Sequence, residues 1–329
     1  MKKASSRRSF LKTVSAGALG SSTAFSSVLF ESSANAALNT QATEVVRIGI
    51  IGAENSHTIG YGRLFNIEKK FPGVEAVYVW GETEELARRA MEKGRIPNMV
   101  RDPEEMLGKI DAVIVDHRHP KYHLAAAMPF IKEGIPTFID KPFCYRVSEG
   151  KEFLATARSL GTPVSSWSTV AHSDRTLDLK RQVARMGKVT HFVGFGPVDI
   201  ESQYGGVFFY GVHAVDQLLY ILGDKVEKVR VSRNGRNATA SLLMNDGLLA
   251  TLVFTQRSDR LLYVETEDGL VELKSTIEES DPSRSEKDMV ELFRLGKEPR
   301  SHESILFGIA VLEALERSVE SDRWEDVRV

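Results

Sequence analysis

Three of the eight histidines in this 329-residue chain fall in one short string, Asp116-His117-Arg118-His119-Pro120-Lys121-Tyr122-His123. Imidazoles and carboxylates packed this closely can ligate zinc or a related metal, or hydrogen-bond a polar substrate. A second string, Gly52-Ala53-Glu54-Asn55-Ser56-His57, begins like a dinucleotide-binding turn of pattern Gly-x-Gly-x-x-Gly but keeps only its first glycine. The second glycine of that pattern lets backbone approach a diphosphate, and here Glu54 brings a side chain and a negative charge instead. At an effective dielectric near 20, two unit charges about 4 Å apart repel by about 4 kcal/mol. Asn55, Ser56 and His57 still offer a helix cap and donors for an anion. A third string, Asp140-Lys141-Pro142, sets an ammonium group directly after a short apolar run. A fourth, Gly211-Val212-His213-Ala214-Val215-Asp216, follows the pair Gly205-Gly206.

These strings need elements to position them. Val45 to Ile51 is an almost uninterrupted apolar run ending at Gly52, the pattern of a strand buried on both faces. The spacing predicts a helix over 57–70, a strand over 74–80 and a helix over 83–93 whose first turn carries acids. A buried strand over 111–116, a helix over 122–133, a strand over 136–140 and a helix over 147–160 continue the alternation. Such βαβ units build a doubly wound parallel sheet, whose ligands bind beyond the carboxyl ends of the strands. Gly52, Asp116 and Lys141 all fall at such ends. After a helix near 175–185 the pattern turns to strands over 189–195, 228–233, 239–244 and 248–254. Asn245-Asp246-Gly247 and Glu267-Asp268-Gly269 are hairpin signals. Helices over 286–294 and 303–319 close the chain. The fold class expected is therefore α/β: a Rossmann-like domain over 46–166, then an α+β domain over 167–329 with a mostly antiparallel sheet.

Composition narrows the class. Charged residues at 27% and hydrophobic residues at 42% are globular values, which exclude disorder, collagen and coiled coil. A net charge of −2, without a long basic run, gives no sign of nucleic-acid binding. The single Cys144 rules out an intrachain disulfide and a zinc site built on several cysteines. Residues 1–12 hold Lys2, Lys3, Arg7, Arg8 and Lys12 with no acid, and a stretch rich in Ala, Ser and Gly leads to Ala34-Asn35-Ala36. Ser6-Arg7-Arg8-Ser9-Phe10-Leu11-Lys12 resembles a twin-arginine export signal, with cleavage expected after Ala36. The expectation is a periplasmic or otherwise exported protein, served by the twin-arginine machinery and free of the membrane after processing. A lone cysteine suits a route that carries chains already folded, often around a cofactor.

Together the strand–Gly52 opening, Asp140-Lys141-Pro142 and Gly211-x-His213-x-x-Asp216 resemble the Gfo/Idh/MocA group of sugar and cyclitol oxidoreductases over about 46–329. The resemblance implies a nicotinamide cofactor, NAD or NADP, and hydride transfer at a sugar-like carbinol with Lys141 and His213 at the reaction centre. Taking a hydride from a carbinol requires a base within reach of the hydroxyl proton. Lys141 suits that role, since a neighbouring nicotinamide cation would lower its pKa; His213 would relay the proton or hold the hydroxyl. Gly52, Glu54, Asn55, Ser56, His57, Trp80, Asp116 and His119 are the residues expected to line the cofactor.

Three positions depart from the family pattern. Glu54 replaces a glycine, Trp80-Gly81 stands where a ribose-binding carboxylate belongs although Glu82 is near, and Phe209 replaces an aspartate four residues before His213. Two other readings therefore stay open. One is a lyase or hydrolase acting on carbohydrate in the same cleft, with or without a metal at Asp116, His119 and His123. The other is a carbohydrate-binding protein without catalysis. A homo-oligomer is also compatible with the sequence.

Overall fold

The first apolar run forms β1 (Val46–Ile51), with only Arg47 exposed. It pairs in parallel with β2 (Val74–Trp80) on one side and β4 (Ala112–Val115) on the other. With β3 (Asn98–Met99), β5 (Thr137–Ile139) and β6 (Val164–Ser165) the order is β3-β2-β1-β4-β5-β6, parallel throughout. Strand order reverses between β1 and β4, which opens a crevice at their carboxyl ends. The computed structural model describes residues 45–257 and 259–329; the export signal and its cleavage point lie outside the described residues.

Four helices cross between these strands: α1 (Ser56–Gly62), α2 (Glu84–Gly94), α3 (His123–Lys132) and α4 (Val147–Leu160). The single helix expected over 57–70 instead breaks after Gly62 into a π-turn over Arg63–Ile67. Gly62 packs on α2 so closely that a Cβ there would lie 2.6 Å from the Gly94 Cα. The widened turn carries Asn66, whose amide group pairs with both the N–H and C=O of Ala76 on β2.

The second sheet holds β7 (Val189–Pro197), β8 (Val226–Asn234), β9 (Asn237–Met244), β10 (Leu249–Thr255), β11 (Leu261–Thr266), β12 (Gly269–Leu273) and β13 (Glu325–Asp326). Its order is β12-β11-β7-β10-β9-β8-β13, and only the β7–β10 pair is parallel. Asn245-Asp246-Gly247 and Glu267-Asp268-Gly269 fall at the β9–β10 and β11–β12 turns, as hairpin chemistry requires. Helices α5 (Asp174–Val183), α6 (Phe208–Leu222), α7 (Arg284–Leu295) and α8 (His302–Ser321) complete the chain. Met289, Val290, Leu292 and Phe293 of α7 join the core of the first sheet, beside Ile48, Ile50 and Phe138. Residues 45–329 thus pack as one body. Among the described residues no helix is long and apolar enough to cross a membrane.

Candidate active site

The turn after β1 is shaped by a close approach. Gly52 has φ +113°, and a Cβ there would lie 2.7 Å from the carbonyl of Asp116 at the end of β4. Beyond it, the N–H groups of Ala53 and Glu54 donate to one oxygen of Glu82, at 2.8 and 2.9 Å. The other Glu82 oxygen lies 3.1 Å from His117 Nδ1. Burial alone would raise the Glu82 pKa, but these hydrogen bonds outweigh it and hold the carboxyl at about 2. A carboxylate therefore stands beside the turn, two residues past the end of β2. Trp80 does not fill that place: its indole N–H donates to the Arg101 carbonyl, and its ring meets His117 edge-on.

Asn55 caps α1 by accepting from the His57 N–H, and Ser56 is exposed at the first helical position. Glu54 is half-buried and turns toward Tyr204. Its carboxylate accepts the Tyr204 hydroxyl at 2.7 Å, and the Arg118 guanidinium lies 4.5 Å from the centre of the Tyr204 ring. The charge that the sequence places against a diphosphate is thus directed at a hydroxyl and a nearby cation.

A buried polar network fills the crevice floor. The Asn55 amide donates to Asp116 Oδ1 at 2.8 Å and to Asp140 Oδ2 at 3.3 Å. His57 Nδ1 lies 3.0 Å from the same Asp140 oxygen, and Lys141 Nζ lies 3.8 Å from it. The Tyr61 hydroxyl reaches the other Asp140 oxygen at 3.4 Å. Burial would lift the Asp140 pKa, but the charge of Lys141 and the hydrogen bond from His57 outweigh it and push it below the usual carboxylate range. Asp116 moves the other way: burial, then the Asp140 charge, raise it well above that range. The Thr58 hydroxyl lies 2.6 Å from both the Gly52 carbonyl and Asp116 Oδ2 and donates to this pair of acceptors. Phe209 sets its ring 5.7 Å from Lys141 Nζ, a cation–π contact where the family pattern has a carboxylate.

His213, buried on α6, faces this network from the second sheet. Its Nδ1 lies 2.7 Å from Ser168 Oγ, which also accepts the N–H groups of Val170 and Ala171. With its acceptor capacity spent, Ser168 donates to Nδ1, so the neutral ring carries its proton on Nε2. Burial first, then the charges of Lys141 and Arg260, push the His213 pKa well below its ordinary value. Asp216 does not face the reaction crevice. It accepts two bonds from Arg300 at 3.1 Å and the Ser168 N–H at 3.2 Å, and so fixes the serine that orients His213.

The loop after β4 does not assemble the metal set Asp116, His119 and His123. Both ring nitrogens of His123 lie 2.8 Å from carbonyl oxygens, of Pro142 and His117, which occupy the approach an ion would need. His119 Nδ1 accepts the Lys121 N–H and its ring packs on Tyr145. His57, Asp116 and Asp140 come within 4.8 Å of one another, and their atoms are engaged by the hydrogen bonds given above. Sequence reasoning missed Thr58, Ser168 and Tyr204 and treated Asp140 only as part of a motif. Ser168 carried a signal in its place at the boundary expected between 46–166 and 167–329.

These residues fit a dinucleotide. A carboxylate stands by the turn, and no described residue takes the N–H of Asn55 or Ser56 at the start of α1. The strand order and strand-end crevice define the class of fold, a Rossmann-type domain. Residues 46–167 match the model of the oxidoreductase family with the NAD-binding Rossmann fold, Gfo/Idh/MocA. No curated protein matches the sequence. Solved structures do resemble it in fold. A probable dehydrogenase from Thermotoga maritima is 19% identical, with 86% of this chain and 99% of that chain covered at TM-score 0.68. Myo-inositol dehydrogenase from Lactobacillus casei, in complex with NAD(H) and myo-inositol, is 16% identical, with 87% and 97% covered at 0.74. Scyllo-inositol dehydrogenase from the same organism, with NAD(H) and scyllo-inositol, is 14% identical, with 86% and 99% covered at 0.71.

Proposed function

We propose that this protein oxidises a carbinol of a sugar-like or cyclitol substrate with NAD held along the strand ends. One observation carries the reading: His57 Nδ1 and Lys141 Nζ converge on a single buried carboxylate oxygen, Asp140 Oδ2. NAD, when bound, supplies the hydride acceptor. Glu82 would hold the hydroxyls of the adenosine ribose, and the N–H groups of Asn55 and Ser56 would face the diphosphate. A carboxylate at Glu82 also repels the 2′-phosphate of NADP, which favours NAD.

The chain's own residues divide the acid–base work. An ionised Asp140 can only accept, so His57 donates from Nδ1 and keeps the Nε2 lone pair for the hydroxyl proton. Lys141, held between Asp140 and the Phe209 ring, donates to the carbinol oxygen and fixes its position. His213 offers a second donor from Nε2–H and, as a neutral ring protonated there, has no free lone pair on that side. The base thus moves from Lys141, where the sequence put it, to His57. The inositol dehydrogenases of similar fold support a polyol as the substrate class.

We also propose that residues 1–36 direct export through the twin-arginine machinery, and that 46–166 and 167–329 act as cofactor and substrate domains. His57→Gln tests the chemistry. Turnover should fall by about 10²-fold or more while NAD affinity, measured by calorimetry, stays within about threefold. Parent-level turnover in the variant would remove His57 from the mechanism.

A further inference from the structure

A cavity of about 1080 Å³ opens beside His57 and runs between α1, α5, β11 and the segment leading into α7. Its wall is rich in charge, and nearly every charge has a partner. Arg175 pairs with Glu278, and Lys274 with Glu272. Glu279 accepts the N–H groups of Asp174 and Arg175, and Glu286 accepts the Ser283 N–H in a capping box. His57 is held by Asp140.

Arg260 is the exception. Among the described residues no carboxylate lies within ion-pair distance of it and no hydrogen bond engages it, although it is only partly exposed. It stands just before β11 and reaches over β7 at Gly196, where a Cβ would come 3.1 Å from its Nη1. The missing side chain of Gly196 is what seats the guanidinium. Arg260 lines the same cavity as His57.

A guanidinium taken partly out of water without a counter-ion is costly, and its planar fork matches a carboxylate through two parallel bonds. We infer that Arg260 binds a carboxylate carried by the substrate, so that the polyol oxidised here is a sugar acid rather than a neutral sugar or cyclitol. One unpaired cation on a wall that also carries four glutamates suits a monoanion and disfavours a phosphate dianion. This inference rests on the polyol reading above and narrows it.

The test is calorimetric titration of the NAD-loaded protein with D-glucuronate, D-gluconate, D-glucose and myo-inositol, repeated on Arg260→Gln and Arg260→Lys. At least one carboxylated probe should bind tenfold or more tightly than D-glucose. Arg260→Gln should erase that preference, Arg260→Lys should keep part of it, and NAD affinity should not change in either variant. Equal binding of acid and neutral probes by the parent, absence of binding by both acids, or a preference that survives Arg260→Gln would overturn the inference. Carboxylate binding that depends on Arg260 but never leads to reduced nucleotide would uphold this site and refute the dehydrogenase reading instead.

Discussion

Replacing Glu82 by Gln tests the β1 turn in two ways at once. In the folded protein the Glu82 carboxyl is held at about 2, against 4.5 when unperturbed. A carboxylate with a depressed folded pKa contributes stability that is complete above the unfolded value and is lost as pH falls toward the folded one. The window here runs from just above 4.5 down to about 2. At 1.36 kcal/mol per unit, the ionised form stabilises the fold at neutral pH by at most about 3 kcal/mol, and about 2 kcal/mol of this is gone by pH 3. The glutamine oxygen can still accept from Ala53 and Glu54, so at pH 7 the variant should lose about 1–2 kcal/mol. Urea unfolding of parent and variant at pH 7 and pH 3 reads both quantities. The gap between the two proteins should close at the lower pH. In parallel, Glu82→Gln should weaken NAD roughly tenfold and bring NADP affinity closer to it, since about 1.4 kcal/mol is one ribose contact. A gap of the same size at both pH values would refute the held carboxylate. Unchanged nucleotide affinities would refute its place beside the ribose.

Other outcomes follow from the same geometry. Lys141→Ala should lower kcat by about 10²-fold, roughly 2.7 kcal/mol, and should also lower the thermal midpoint, because it removes the cation that offsets the buried Asp140 carboxylate; full activity would exclude Lys141. Ser168→Ala frees the His213 tautomer and leaves the Val170 and Ala171 N–H groups without their acceptor. It should cost about tenfold in kcat with KM nearly constant, and an unchanged kcat would show that the tautomer is not used. Replacing Arg7 and Arg8 together by Lys should retain the protein in the cytoplasm, and fractionation showing equal export of both forms would refute the signal.

Much of the fold is legible in the sequence because its strands are buried on both faces. Runs such as 46–51 and 112–115 have one reading, and Asn-Asp-Gly and Glu-Asp-Gly turns fix two hairpins. The π-turn after Gly62 is not legible, since the α1–α2 contact that accompanies it is tertiary. Nor is the return of α7 to the first sheet: its apolar face reads the same whichever core receives it. The site is legible by position and illegible by direction. Spacing places Lys141 and Asp116 at strand ends and His57 just beyond one, but only the folded chain turns Glu54 onto Tyr204, brings Glu82 to the turn, and sets His57 and Lys141 against one oxygen of Asp140. His119 and His123 look like ligands in a string, yet one caps a turn and the other has both nitrogens against carbonyl oxygens.

The central claim is that a hydride leaves a substrate carbinol for bound NAD while His57 takes the hydroxyl proton. Its most direct test uses a sugar acid or cyclitol deuterated at the carbinol carbon, mixed with the purified protein and NAD, with the nucleotide then analysed by mass spectrometry. The account predicts reduced nucleotide carrying the deuterium from the parent protein and almost none from His57→Gln. Consumption of the polyol with its deuterium retained or released to water, or no nucleotide bound at all, would contradict it.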